Sequence, residues 1–152
     1  MPKTSAALLL FRRQEQLEVL IAHMGGPFWA RKDAGAWSIP KGEYTTEDPL
    51  TAAFREFEEE MGSAPPPGDP IPLGQVRQSG KVITTFALEG DFDLTTFTSN
   101  TFALEWPRGS GKMQDFPEVD KAEWMSVTTA REKLVKGQLP VLDALERHLD
   151  DA

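Results

Sequence analysis

The stretch from Asp48 to Gly62, "DPLTAAFREFEEEMG", is the most constraining feature of the chain, because both ends of a helix are written into it. Asp48 is a residue type that caps helix N-termini, Pro49 suits the first helical position, and Gly62 supplies the stop. Leu50, Ala53, Phe54, Phe57 and Met61 recur at helical spacing as one apolar stripe, which must find a partner surface. The flanking sequence offers a sheet. "TSAALLLF" (4–11) and "LEVLIAH" (17–23) are apolar runs separated by "RRQEQ", which predicts two strands joined as a hairpin. "WSI" (37–39), "KVITTFALEGDF" (81–92), "TFALEW" (101–106) and "AEWMSV" (122–127) have strand composition, whereas the prolines of "SAPPPGDPIP" (63–72) make a surface connection. "PRGSGKMQDFPEVDK" (107–121) is expected as a polar loop, and the tail from Thr128 as two short helices broken at Gly137 and Pro140. Leu139, Leu142, Leu145 and Leu149 keep helical spacing there. Strands with helices between and after them predict an α/β (α+β) layered domain with a mixed sheet.

The helix concentrates negative charge where its macrodipole opposes it. Glu56, Glu59 and Glu60 stand three and four residues apart, about 130° round from the apolar stripe, and are expected to converge. Each glutamate near a helix C-terminus costs roughly 0.3–1 kcal/mol, and like charges at these spacings repel by a few tenths more. A bound divalent cation reverses both effects. With no cysteine and only His23 and His148 in 152 residues, a metal must be held by oxygen, which favours a hard ion such as Mg²⁺ or Mn²⁺. The alternative is a solvated acidic face.

Composition narrows the partners. A formal net charge of −8 argues against long nucleic acids, whose binding rests on neutralising phosphates with basic side chains, and leaves a small phosphorylated ligand bridged by a cation. No apolar run is long enough to cross a membrane and "SAALLLF" is too short for a signal peptide, so a single cytoplasmic domain over 1–152, monomer or homodimer, is expected. "GSGK" (109–112) lacks the remaining residues of a P-loop, and no G-x-S-x-G is present.

"PKG" at 40–42, then Glu47, seven residues, and "REFEEEMG" at 55–62 resemble the signature of the Nudix hydrolase superfamily, in its small MutT-like form. The resemblance covers about twenty-three residues closely, and the order of strands and helices fits nearly the whole chain. It implies an α/β/α sandwich and cation-dependent hydrolysis of a pyrophosphate bond in a nucleoside diphosphate linked to another group, such as a nucleoside triphosphate, a nucleotide sugar or a dinucleoside polyphosphate. It implies Glu56, Glu59 and Glu60, with the carbonyl of Gly42, as metal ligands, Glu59 or Glu60 as helpers of the attacking water, and Arg55 with Glu47 as a supporting ion pair. Glu118, six residues before Trp124, is the candidate general base, with Asp115, Asp120 and Glu123 as competitors. Lys41, Arg31, Lys32, Arg77 and Lys81 are candidate substrate-binding cations, and Phe28, Trp29, Trp37 and Trp106 candidate stacking rings, with core packing the alternative for Trp37 and Trp124 and a structural role for His23. The chain departs from the signature in three places. Only four residues separate Gly42 from Glu47, so the loop is one short, while Phe57 and Ser63 stand at aliphatic positions. A non-catalytic nucleotide sensor or interaction module of the same fold, and an acidic module for a basic partner, are the rival readings.

Overall fold

The computed structural model describes residues 3–150; the first two residues and the last two of the tail lie outside it. Strands β1 (Lys3–Arg13) and β2 (Leu17–Met24) form the expected hairpin, but their pairing lasts only from Phe11↔Val19 to Arg13↔Leu17. Beyond that point the two strands part, and the segment that follows fills the fork. β3 (Trp37–Ser38) pairs with β2, whereas β4 (Lys41–Glu43) pairs with β1 at Ala7↔Lys41, Ala6↔Gly42 and Ser5↔Glu43. β6 (Lys81–Glu89) runs parallel to β1 on its other edge, β5 (Ile71–Gln78) closes that side antiparallel to β6, and β9 (Val119–Ser126) pairs with β2. The result is a seven-stranded mixed sheet.

β1 is an almost unbroken apolar run because both its faces are covered, and strand alternation sends its side chains to two cores. Ala6, Leu8 and Leu10 pack with Leu20, Ala22 and Leu88 beneath helix α1 (Pro49–Met61). Ala7, Leu9 and Phe11 pack with Val19, Ile21 and Ile83 beneath α2 (Val127–Lys133) and α3 (Leu139–Asp150). The layers are therefore helix, sheet, helix. On α1, Phe57 is fully buried and meets Phe92 edge-on at 5.2 Å, a burial that contributes about 1.5–3 kcal/mol.

The structure corrects several expectations. Residues 107–121 are not all loop, since β8 (Met113–Pro117) pairs with β7 (Thr101–Glu105) in a separate hairpin and β9 starts at Val119. β5 begins inside the stretch expected as a surface connection, at Ile71 and Pro72, and continues through residues given no assignment; as an edge strand it tolerates Pro72 beside a bulge at Pro72/Gly74. Pro140 does not break a helix but sits in the first turn of α3, where its missing N–H costs nothing, and the break lies in the 3-10 turn Lys136–Gln138. Finally, the buried face of α1 is Ala52, Ala53, Phe57, Glu60 and Met61, with Leu50 and Phe54 only half-buried. Glu60 thus adjoins the apolar stripe instead of sharing a separate face with Glu56 and Glu59, because the sheet and β4 meet the helix from the side its own sequence leaves polar.

Candidate functional site

Both caps of α1 form as expected. The Asp48 carboxylate accepts from the N–H groups of Leu50 (3.1 Å) and Thr51 (3.3 Å), and Gly62 closes the helix at φ 84°, its N–H donating to the Glu58 carbonyl at 2.8 Å. Gly42 faces α1, and a Cβ added there would fall on the carboxylate of Glu56. The backbone N–H of the preceding residue, Lys41, donates to Glu60 Oε2 at 2.6 Å. Although the loop to Glu47 is one residue short, Gly42 still supplies the close approach to the helix.

Arg55 ties the acidic residues together. Its Nε donates to both oxygens of Glu47 (2.9 and 3.1 Å), its Nη2 to Glu47 Oε1 (2.5 Å), and its Nη1 to Glu56 Oε1 (2.7 Å) and to the Glu59 carboxylate (3.3 Å). This fork-shaped hydrogen bonding holds the Glu47 carboxyl below, and the Arg55 guanidinium above, their usual values. Glu56 goes the other way, raised first by burial. Glu60 is 8% exposed, and burial pushes its carboxyl up to about 8 against the opposing Lys41 amide and ammonium. Burial likewise lowers the Lys41 ammonium, assisted by Lys81.

Glu118 occupies the exposed bend between β8 and β9, near enough that its charge raises both Glu56 and Glu60. Its backbone is pinned: the N–H donates to Asn100 O at 2.8 Å, and its carbonyl accepts from Gly25 N at 2.9 Å. Lys81 reaches β4 through an ion pair with Glu43 at 3.5 Å. The fold therefore gathers Gly42, Lys41, Glu47, Arg55, Glu56, Glu59, Glu60, Glu118 and Lys81 beside α1 and β4. Arg31 and Lys32 lie on the β2–β3 loop, the Lys32 ammonium 5.3 Å from the centre of the Trp29 ring. Arg77 lies on β5, two strands beyond β1, beside a cleft of about 440 Å³ shared with Trp29 and Gly137. Trp37 is buried with its Nε1 donating to Asp33 at 2.9 Å, and Trp124 packs into the core under α1 with Arg12 over its ring at 4.2 Å. His23 is buried, its ring nitrogens 2.8 Å from Asp120 Oδ1 and 2.6 Å from the Lys32 carbonyl, so it ties the loop to β9.

Sequence reasoning missed Gln138. This residue is 1% exposed; its Oε1 accepts from Ile39 N at 2.8 Å, and its Nε2 donates to Ser38 Oγ (3.0 Å) and Gln78 Oε1 (2.9 Å). Ile39 lies where the chain crosses from β2 to β1, and its N–H would otherwise lack a sheet partner. A glutamine among exposed-looking residues gave no signal of this.

Among the described residues, no three acidic or histidine side chains are already gathered closely enough to hold a cation, since Arg55 engages Glu56 and Glu59 while Glu60 turns to Lys41. The donor chemistry nonetheless suits one. Every candidate ligand is an oxygen, and burial disfavours the charged forms of Glu56 and Glu60, a penalty that a hard cation would offset.

The NUDIX domain family matches residues 1–145. In structure the chain resembles a mutT/nudix family protein from Listeria innocua (18% identity, TM-score 0.66, covering 99% of this chain and 96% of that one). It also resembles the NUDIX domain of Shewanella oneidensis NrtR complexed with ADP ribose (15% identity, TM-score 0.65, 98% and 89%). A third similar fold is a C. elegans Ap4A hydrolase in a binary complex (17% identity, TM-score 0.62, 99% of each chain). No curated protein sequence matches the chain. With the domain match spanning nearly all of its length, the chain belongs to the NUDIX family.

Proposed function

We propose that this chain is a single-domain, cytoplasmic pyrophosphohydrolase, monomeric or homodimeric, that cleaves a nucleoside diphosphate linked to another group. The observation that carries the proposal is the Arg55-centred cluster, in which Glu56 is seated against Gly42 and Glu60 against the Lys41 amide. Glu56, Glu59, Glu60 and the Gly42 carbonyl would hold Mg²⁺ or Mn²⁺, which when bound neutralises phosphate charge and acidifies water. Arg55 and Glu47 hold the loop and the helix in register. Glu118, exposed on a pinned bend, accepts the proton of the attacking water, and Glu59 or Glu60 orients that water. The water oxygen bonds to phosphorus, the bond from phosphorus to the bridging oxygen breaks, and the negative charge leaves with the released phosphate. Lys41 and Lys81 face phosphate oxygens first, with Arg31, Lys32 and Arg77 as further substrate contacts.

Nucleoside triphosphates, nucleotide sugars and dinucleoside polyphosphates are the candidate substrates; ADP-ribose and Ap4A join the panel because one protein of similar fold is complexed with ADP ribose and another is an Ap4A hydrolase. The test is turnover of this panel with Mg²⁺ and with Mn²⁺, products resolved by chromatography, beside Glu59→Gln. Hydrolysis of one class that vanishes in the variant supports the proposal. A folded protein silent on every class shifts the assignment to a nucleotide sensor.

A further inference from the structure

The β2–β3 loop is braced at both ends. Met24 N donates to Ala36 O (3.0 Å), Trp29 N to Gly26 O (3.2 Å) and Lys32 N to Trp29 O (2.9 Å), while the Gly25 amide donates to the carbonyl of Glu118 itself. Against this rigid loop lies the β7–β8 hairpin, whose Phe102, Leu104 and Trp106 alternate with exposed Thr101, Ala103 and Glu105. Gly26, at φ 94°, lets the Phe102 ring approach so closely that a Cβ would meet it at 2.9 Å. The contact continues outward to Phe28 and Trp106, edge-on at 5.7 Å.

Phe28 behaves unlike its neighbour. Trp29 is half-buried and packs against the core, whereas Phe28 keeps 50% of its surface in solvent on a backbone that holds it there. If the pair served only to seat the hairpin, nothing would require the ring to stay half open. Above it stands the Arg108 guanidinium, 5.8 Å from the ring centre, exposed and in no ion pair among the described residues. The turn that carries Arg108 is itself ordered: Trp106 N donates to Lys112 O (3.0 Å) and Gly109 N to Glu105 Oε1 (2.8 Å). A half-exposed aromatic ring under an unpaired guanidinium, the ring carried on a loop whose Gly25 amide donates to the backbone carbonyl of Glu118, is suited to a planar, electron-rich ring carried on an anion.

We infer that Phe28, Trp106 and Arg108 form the subsite for a nucleobase of the substrate, the base stacking on the exposed Phe28 ring next to Arg108. The inference rests on the pyrophosphohydrolase reading, but binding tests it separately from turnover. Titration of AMP and of ribose 5-phosphate, which lacks the base, is followed by calorimetry in chelator, with melting curves as a fold check. AMP binding about tenfold tighter than ribose 5-phosphate is expected, with that advantage lost in Phe28→Ala and reduced in Arg108→Gln. Phe28→Leu keeps apolar contact with Trp106 and loses the ring, so it loses the advantage too, and it serves should Phe28→Ala fail to fold. Met113→Ala, which removes the other large exposed apolar side chain among the described residues, leaves both affinities unchanged. Equal affinity for the two ligands, no binding of either, or wild-type AMP affinity in the folded Phe28 variants would overturn the subsite, whereas loss of turnover across the panel bears on the hydrolase reading alone.

Discussion

Gly42 leaves room for the Glu56 carboxylate, and a methyl group there would take the same space. Since the obstructed atoms are the far end of a flexible side chain, Gly42→Ala can be relieved by moving Glu56. Denaturant melts should therefore show a stability change within about 1 kcal/mol, while kcat falls on the order of a hundredfold if Glu56 is the metal ligand proposed above, because it is displaced. Unchanged kcat would place Glu56 outside the working site. Glu60 makes the opposite kind of prediction, one of stability. Its carboxyl is raised by burial to about 8, so in metal-free protein its contribution is fully present below the unfolded value of 4.5 and is lost as pH rises through 8. With chelator present, the wild type should lose stability across that window. Glu60→Gln, which keeps an acceptor for the Lys41 amide and carries no charge, should give a flatter profile and be more stable by roughly 2–4 kcal/mol above pH 8. Parallel profiles for the two proteins would mean that Glu60 is hydrated.

The elements that meet at the site are short, and their placement depends on the crossover between β2 and β1. Residues 37–43 leave one strand for another, and at the crossing Ile39 has Gln138 as its partner in place of a neighbouring strand. Gln138→Ala leaves the buried Ile39 N–H and the half-buried Gln78 Oε1 without their partner. It should cost about 1–3 kcal/mol in chemical denaturation and lower kcat as well, because Lys41 and Gly42 follow directly. A loss of stability with kcat intact would show that β4 is held by β1 alone. The hairpin of β7 and β8 is the second element that matters: it packs its apolar side on the β2–β3 loop and delivers the chain to Glu118.

At the scale of the molecule, one sheet divides two cores, and the acidic end of α1 lies where the sheet forks. The chain has 24 acidic and 16 basic residues, yet basic side chains are gathered at the site, where Lys41 and Lys81 sit among carboxylates. No helix among the described residues is long and apolar enough to cross a membrane. Much of this was legible locally. Asp48 and Gly62 bracket α1 because caps act within a turn, the apolar run of β1 shows a strand covered on both faces, and the spacing of Glu47, Arg55 and the glutamates carries the family likeness. Other features were invisible for a shared reason. β5 and β8 are edge or hairpin strands whose weak apolar alternation acquires meaning only beside a partner. Burial of Glu60 depends on β4, 19 residues away, and the Gln138 clamp joins positions 99 residues apart. The sequence by itself determined the helix, its caps, the central strands and the chemical kinds of group available. Which carboxylate is buried, which aromatic ring stays open and which glutamine holds the crossover were decided by the tertiary structure, because desolvation and hydrogen-bond partnership are properties of neighbours in space and not of neighbours along the chain.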